Sequence, residues 1–240
     1  MKKIAIKYKA NMNAKKCKMM MNSPKMSLTE TIKRYAVNTV GIYIMTFAIR
    51  LTVSSGLGTT PLSTLPNVFS LRFPQISFGM FTFIWNMVML AAQIIVLRKN
   101  FKLIQLMQIP LTFVFSAFLD INERLLAWFK PDDLVSRLTA VAVGCVLMGV
   151  SVEMTVSADV VMNTGEAVVK AFCDTFGWNF GFAKIGFDVL YVVSGLVLSL
   201  IMFGCINGVG IGTVILAVAT GLFVNLSDKL FSPIISKFYG

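Results

Sequence analysis

"MTFAIRLTVSS" (residues 45–55) and "MGVSVEMTVSA" (residues 148–158) read as one phrase written twice, with Glu153 standing where the first copy has Arg50. At this offset of 103 the Thr-Val-Ser of 52–54 falls on that of 155–157, and Gly41 falls on Gly144. At 102, "SFGMFTFIWN" (77–86) lies over "NFGFAKIGFD" (179–188), pairing Phe78-Gly79 with Phe180-Gly181 and Asn86 with Asp188. At 105, "FLDIN" (118–122) lies over "FVNLS" (223–227). Apolar segments match often by chance, so it is the shared order of the matches that marks a duplicated unit.

The unit is a membrane one. The 240 residues are 56% hydrophobic with a mean hydropathy of +0.77, against roughly 45–50% apolar in soluble chains. About 20 residues at 1.5 Å rise cross a hydrocarbon core roughly 30 Å thick. The long uncharged runs predict spans at 35–55, 78–97, 103–119, 138–158, 180–203 and 209–227, the third the shortest. Each copy then holds three spans, an odd number, so the second enters from the opposite face: an all-α fold of six helices in two inverted repeats. We divide it into a basic arm (1–34), a first repeat (35–130) and a second repeat (131–240), the repeats forming one membrane domain.

A net charge of +11 raises the question of nucleic acid, but ten of the 22 Lys and Arg precede residue 35. By the positive-inside rule that arm is cytoplasmic, and six spans return the C-terminus to the same side of a bacterial inner membrane. The arm has no apolar core of a signal peptide and suits anionic lipid, so the expected partners are lipids and no nucleic acid. The chain has no histidine, which removes His metal ligands, Ser-His triads and HExxH sites. Cys17, Cys145, Cys173 and Cys205 share no metal-like spacing, and Cys145 and Cys205 read as packing residues. We therefore expect no enzyme, no catalytic or metal residues and no cofactor. Gly208, Gly210 and Gly212 open a span with no strand before it and read as a site of close helix approach, not a nucleotide loop. Pro110 falls inside the third span, where a kink is expected.

Between the first two spans of each copy lies a segment too irregular to span and too apolar for a loop: "GLGTTPLSTLPNVFSLRF" (56–73) and "NTGEAVVKAFCDTFGW" (163–178). Thr60 before Pro61 has the form of an N-cap with proline at the first helical position. Asn163 with Glu166 has the spacing of a capping box. Each copy thus starts a short helix at the same point. It either re-enters the bilayer, its N-terminal N–H groups facing a ligand, or lies in the interface.

With "GLGTTPLSTLPNVFS", "ISFGMFTFIWN", "FLDI", "TGEAVVKAFCDTFGWNFGFAKIGFD" and "GIGTVI", residues 40–225 resemble the YczE/YyaS/YitT-like bacterial integral membrane proteins. The resemblance implies a multi-pass location and fold more than an activity. That family's pattern carries a proline before the Gly-Glu pair, where this chain has Thr164.

The remaining charges decide the candidate site. Arg50 lies roughly 7 Å outward of the midplane and Glu153 roughly 7 Å inward, about 15 Å apart in depth, too far for a direct pair. Lys184 and Asp188 share a helix face at i, i+4, with Glu153 between them in depth, which predicts an inner cluster. Its first-copy equivalents are Arg50, Thr82 and Asn86. Charges in the core usually mark a pathway; the alternative is a static network in which Arg50 reaches Asp120. The expected function is a small secondary transporter or solute carrier. Its binding or coupling residues would be Arg50, Thr60, Asn86, Glu153, Asn163, Glu166, Lys184 and Asp188, with Asp188 or Glu153 as coupling carboxylate. The alternative is a non-transporting membrane partner, scaffold or substrate-capture subunit, working as a homodimer or with another membrane protein.

Overall fold

Ser77 and Asn179, 102 residues apart, do the same job: each caps the start of a long helix. Ser77 Oγ accepts from Met80 N (3.1 Å), and Asn179 Oδ1 accepts from Gly181 N (3.0 Å) and Phe182 N (3.4 Å), satisfying N–H groups that have no partner within the helix. The computed structural model describes residues 28–158 and 160–217, and every regular element among them is helical. The order is α1 (Leu28–Ser54), a 3₁₀ turn (Pro61–Ser63) leading into α2 (Thr64–Arg72), α3 (Phe78–Leu97), a 3₁₀ segment (Leu103–Met107) leading into α4 (Gln108–Leu125), α5 (Leu134–Ala158), α6 (Thr164–Phe176) and α7 (Phe180–Phe203). Residues 211–217 are helical again. Five of these stretches, all but α2, α6 and the last, are long and apolar enough to cross a membrane, and the chain is a multi-pass membrane protein. The arm up to residue 27, with Cys17, and the expected sixth span beyond 217 lie outside the described residues.

Helix bounds at 78–97 and 180–203 agree with the expectation; three others do not, for identifiable reasons. α1 is already helical at Leu28, the first described residue, where 35 was expected: Glu30 and Arg34 pair along it (2.9 Å) and Arg34 donates to the Ala158 carbonyl (3.2 Å). α5 starts at Leu134, not 138, because Asp133 takes both the amide and hydroxyl of Ser136 (2.9 and 2.6 Å). Those bonds hold the Asp133 carboxyl below the usual carboxylate range. α4 runs on to Leu125, past the charges that end the apolar run at 119, because Asp120 and Glu123 turn to neighbouring helices. Pro110 is the third residue of α4, in its first turn, directly after the 3₁₀ segment, where a missing N–H costs nothing.

α1 packs against α5, α3 against α4 and α6, and α2 against α7. A Cβ on Gly41 would lie 3.0 Å from Thr155 Cγ2 and 3.3 Å from the Ser151 carbonyl. A Cβ on Gly144 would lie 2.4 Å from Thr52 Cγ2 and 3.5 Å from the Ala48 carbonyl. Adding 103 to Gly41 gives Gly144, to Ala48 gives Ser151, to Thr52 gives Thr155, so the same two contacts occur twice with the partners exchanged. Such reciprocity is the mark of a two-fold relation. Gly41 meets the end of α5 while Gly144 meets the end of α1, so the two helices run antiparallel. The α3–α6 and α2–α7 contacts are likewise one contact made twice, and the Tyr191 hydroxyl reaches Met89, its own equivalent at 102, at 3.4 Å.

Small residues let helices in a membrane approach closely. We expect Gly144→Ala to lower stability by about 1–3 kcal/mol through overpacking against Thr52, and Gly41→Ala, with its looser 3.0 Å contacts, to cost less. Thr52→Ser removes the opposing methyl while keeping the hydroxyl bonded to Ile49, so it should recover most of the Gly144→Ala loss in thermal unfolding of the purified protein.

Candidate functional site

α6 begins without a side-chain cap. Asn163 holds the N-cap position and its carbonyl accepts from Glu166 N (3.0 Å) and Ala167 N (2.9 Å), but its side chain makes no cap bond. The expected capping box is therefore not formed. A box needs the Glu166 carboxylate to reach back to Asn163 N and the Asn163 side chain to reach Glu166 N, which bonds the Asn163 carbonyl instead. Thr60 does precede a helical turn with Pro61 at its first position, and its hydroxyl donates to Ser63 Oγ (2.9 Å) rather than capping. The two short elements meet: a Cβ on Gly165 would strike Leu62 Cδ2 at 2.3 Å. Both are buried, Thr64 and Val68 on α2 and Val168 and Val169 on α6 being shut off from the surface.

At the start of α6 lies a cavity. Asn163 and Thr164 form one wall, Asn38, Ile42 and Met45 of α1 a second, Asn86 of α3 a third, and Thr112, Leu111 and Phe115 of α4 a fourth, with Thr155 and Val161 completing it. It leaves about 30 Å³ for the centre of a water molecule, room for roughly two waters. None of the described residues lining it is ionisable. Two of its most buried amides are half-used. Asn86, 5% exposed, donates to the Thr82 carbonyl (2.9 Å), which fixes its amide orientation and leaves Oδ1 unpartnered; Asn38, 1% exposed, has an unpartnered Nδ2.

A polar clasp holds the start of α6 against α3 and α4. Gln93 and Gln108 exchange amide hydrogen bonds (3.3 and 3.2 Å), Gln93 also donates to the Thr164 carbonyl (3.3 Å), and the Thr112 and Thr164 hydroxyls share a bond (3.2 Å). All four side chains are buried.

Of the residues expected at the site, Asn86 and Asn163 share this cavity, and Arg50, Thr60, Glu153, Glu166, Lys184 and Asp188 are not among its lining. Arg50 pairs with Glu123 on α4 (3.2 Å) and sits over the Phe78 ring, 5.3 Å from its centroid. Its expected partner Asp120 instead accepts from Ser77 Oγ (2.8 Å) and Gly79 N (2.9 Å), anchoring the start of α3. Glu153 is buried on α5 and accepts from Ser157 (2.5 Å). Lys184 and Asp188 pair at 2.6 Å, on α7, which packs on α2 and α6, whereas α5, which carries Glu153, packs on α1. Sequence reasoning missed Asn38, Gln93, Gln108, Thr112 and Thr164; amides inside apolar spans were the available signal.

The cavity's counterpart in the second copy is filled. Asn38 and Ile42 correspond at 103 to Val141 and Cys145, which are buried in an apolar cluster with Leu216 and Leu57. Leu57 enters because Gly210 and Gly212 admit its backbone: Gly212 N donates to the Leu57 carbonyl (2.8 Å), and a Cβ on Gly210 would lie 2.5 Å from that oxygen. Gly210 and Gly212 are thus a place of close approach, to the loop at Leu57 and not to another helix as expected. Cys145 packs as expected, whereas Cys205 is exposed in the turn after α7, where only its carbonyl is engaged, by Ser199 Oγ (3.0 Å).

Residues 32–229 match the DUF6198 family, a family of unknown function, and the chain belongs to it. No curated protein and no solved structure matches it.

Removing one member of a buried amide pair strands the other, at a cost of about 1–3 kcal/mol, whereas removing both is far milder. Gln93→Met and Gln108→Met should each lower thermal stability, and the double variant should lose clearly less than the sum of the two.

Proposed function

We propose that this protein is a small solute carrier of the bacterial inner membrane with cytoplasmic termini, built as two inverted three-helix repeats whose short helices re-enter from opposite faces. The antiparallel α1–α5 crossing supports opposite entry. The meeting of Leu62 with Gly165 supports re-entry over an interfacial position: two helices lying on opposite headgroup layers would not touch. The likeness to YczE/YyaS/YitT-like proteins belongs to the same reading, since the segments that carry it build the two short helices.

The observation that carries the function is the cavity at the uncapped start of α6. A polar group left unpaired in the interior costs about 1–3 kcal/mol, and here a donor on Asn38 and an acceptor on Asn86 stay unpaired beside one space. A solute entering it meets the polar wall that Asn38 and Asn86 share with Asn163 and Thr164. The filled counterpart at Val141, Cys145, Leu57 and Leu216 is the place where a second conformation would open, so that one site is reached alternately from the two faces. With no ionisable side chain among the described lining residues, neither Asp188 nor Glu153 is needed as a ligand of the solute. The Arg50–Glu123 and Lys184–Asp188 pairs then serve as fixed struts on either side.

The test is osmotic swelling of proteoliposomes in a panel of small polar solutes. At least one should enter several-fold faster than into protein-free vesicles, and Met45→Trp, which fills the cavity, should abolish the difference while the protein stays folded. Silence across the panel, with a second membrane protein retained through purification, would favour a capture or scaffold subunit instead.

A further inference from the structure

We propose that the turn between α3 and α4 binds the headgroup of an anionic phospholipid. Both helices have the length and hydropathy of membrane spans, so the turn that joins them lies at a membrane surface. Arg98, Lys99 and Lys102 stand there within five residues, all exposed, and none of them is in a salt bridge among the described residues. No acidic residue occurs between Glu30 and Asp120 to neutralise them along the chain. Around the three cations the surface is apolar, with Ile95, Leu103 and Ile104 each largely exposed. A cationic centre with an apolar collar at the bilayer surface matches the two parts of a phospholipid, its phosphate and its acyl chains.

The turn has a fixed shape. The Arg98 amide donates to the Ile94 carbonyl, and the Phe101 amide donates to the Arg98 carbonyl (3.2 Å). The Lys102 amide donates to Gln105 Oε1 (3.1 Å), and the Gln105 amide donates back to the Lys102 carbonyl (2.9 Å). These bonds hold Arg98 at a φ of 46°, the one positive φ outside glycine among the described residues. A side chain in that conformation is strained. The second copy shows what the backbone alone requires: α7 ends on Gly204 at a φ of 70°, and no charged residue occurs between Asp188 and Asp228. That turn closes on Ser199, whose hydroxyl bonds the backbone of Cys205 and Asn207. The first-copy turn instead keeps a strained arginine and two lysines at the surface, a cost that no side-chain hydrogen bond or ion pair of theirs offsets and that a bound phosphate does. It also joins the helices that carry Gln93 and Gln108, so a lipid held there steadies the pair that clasps the start of α6.

The experiment is thermal unfolding of the full-length protein in three nanodisc samples: phosphatidylcholine alone, equal parts phosphatidylcholine and phosphatidylglycerol, and phosphatidylcholine with inorganic phosphate in the buffer. Phosphatidylglycerol should raise the melting temperature by several degrees, and inorganic phosphate should not. The triple variant Arg98→Gln, Lys99→Gln and Lys102→Gln should lose at least half of that rise. Three charges removed from the basic arm, as Lys2→Gln, Lys3→Gln and Lys7→Gln, should leave it in place. Arg98→Gly takes away strain and charge together, so it should melt higher than the native protein in phosphatidylcholine yet gain less from phosphatidylglycerol. Where the triple variant fails to fold, Lys99→Gln with Lys102→Gln should show a smaller loss of the same sign. An equal rise in the native protein and the triple variant overturns the proposal, as does a rise that disappears with the arm charges instead. A rise from inorganic phosphate equal to that from phosphatidylglycerol gives the turn to a free anion and overturns the lipid. A native protein indifferent to phosphatidylglycerol overturns it as well, and an acidic soluble protein retained through purification and lost in the triple variant would then be the occupant.

Discussion

Where α1 crosses α5, Gly41 and Gly144 let one helix lay its backbone against the other's threonine, in the most extensive helix pairing among the described residues. Because the contact is made twice with partners exchanged, α1 and α5 lie antiparallel to each other. Each half then lends its short helix to the other: α6 settles on α3 and begins against α4, while α2 settles on α7 and the loop before it presses on the glycines at 210 and 212. A short helix in such a place is surrounded by protein.

The symmetry of the backbone is not a symmetry of chemistry. At the first-copy position Asn38 and Ile42 leave a space with unsatisfied polar atoms; at the second, Val141 and Cys145 close it around Leu57. Asn86 keeps a free acceptor, whereas its equivalent Asp188 is bound to Lys184 at 2.6 Å. Arg50 and Glu153, the pair whose opposite signs stand out in the repeat, follow the same pattern. Each lies towards its own end of the crossing, and Arg50 is held by Glu123 rather than by its equivalent. The charges brace the scaffold and the neutral amides line the space.

Much of the fold was legible because its signals are local: the repeated glycines and apolar runs of helical length. What misled were decisions that depend on lateral position. Depth along a span put Glu153 level with Lys184 and Asp188, but depth carries no information on which helix stands beside which, and α5 stands beside α1. Asp120 and Glu123 lie on one face of α4, and sequence could not tell that the Gly79 amide would claim Asp120 and leave Glu123 to Arg50. The site itself was half-seen. Reading for ionised groups found Asn86 only through the repeat and Asn163 as a capping position, and passed over Asn38, Gln93 and Gln108, which are neutral.

The antiparallel relation of the two halves is open to direct measurement with a membrane-impermeant maleimide. Gln75→Cys, before α3, and Asp174→Cys, at the end of α6, put single thiols at exposed positions in corresponding regions of the two copies, in a chain otherwise freed of cysteine. In vesicles of defined orientation the two positions should be labelled from opposite faces. Labelling of both from the same face would contradict the account.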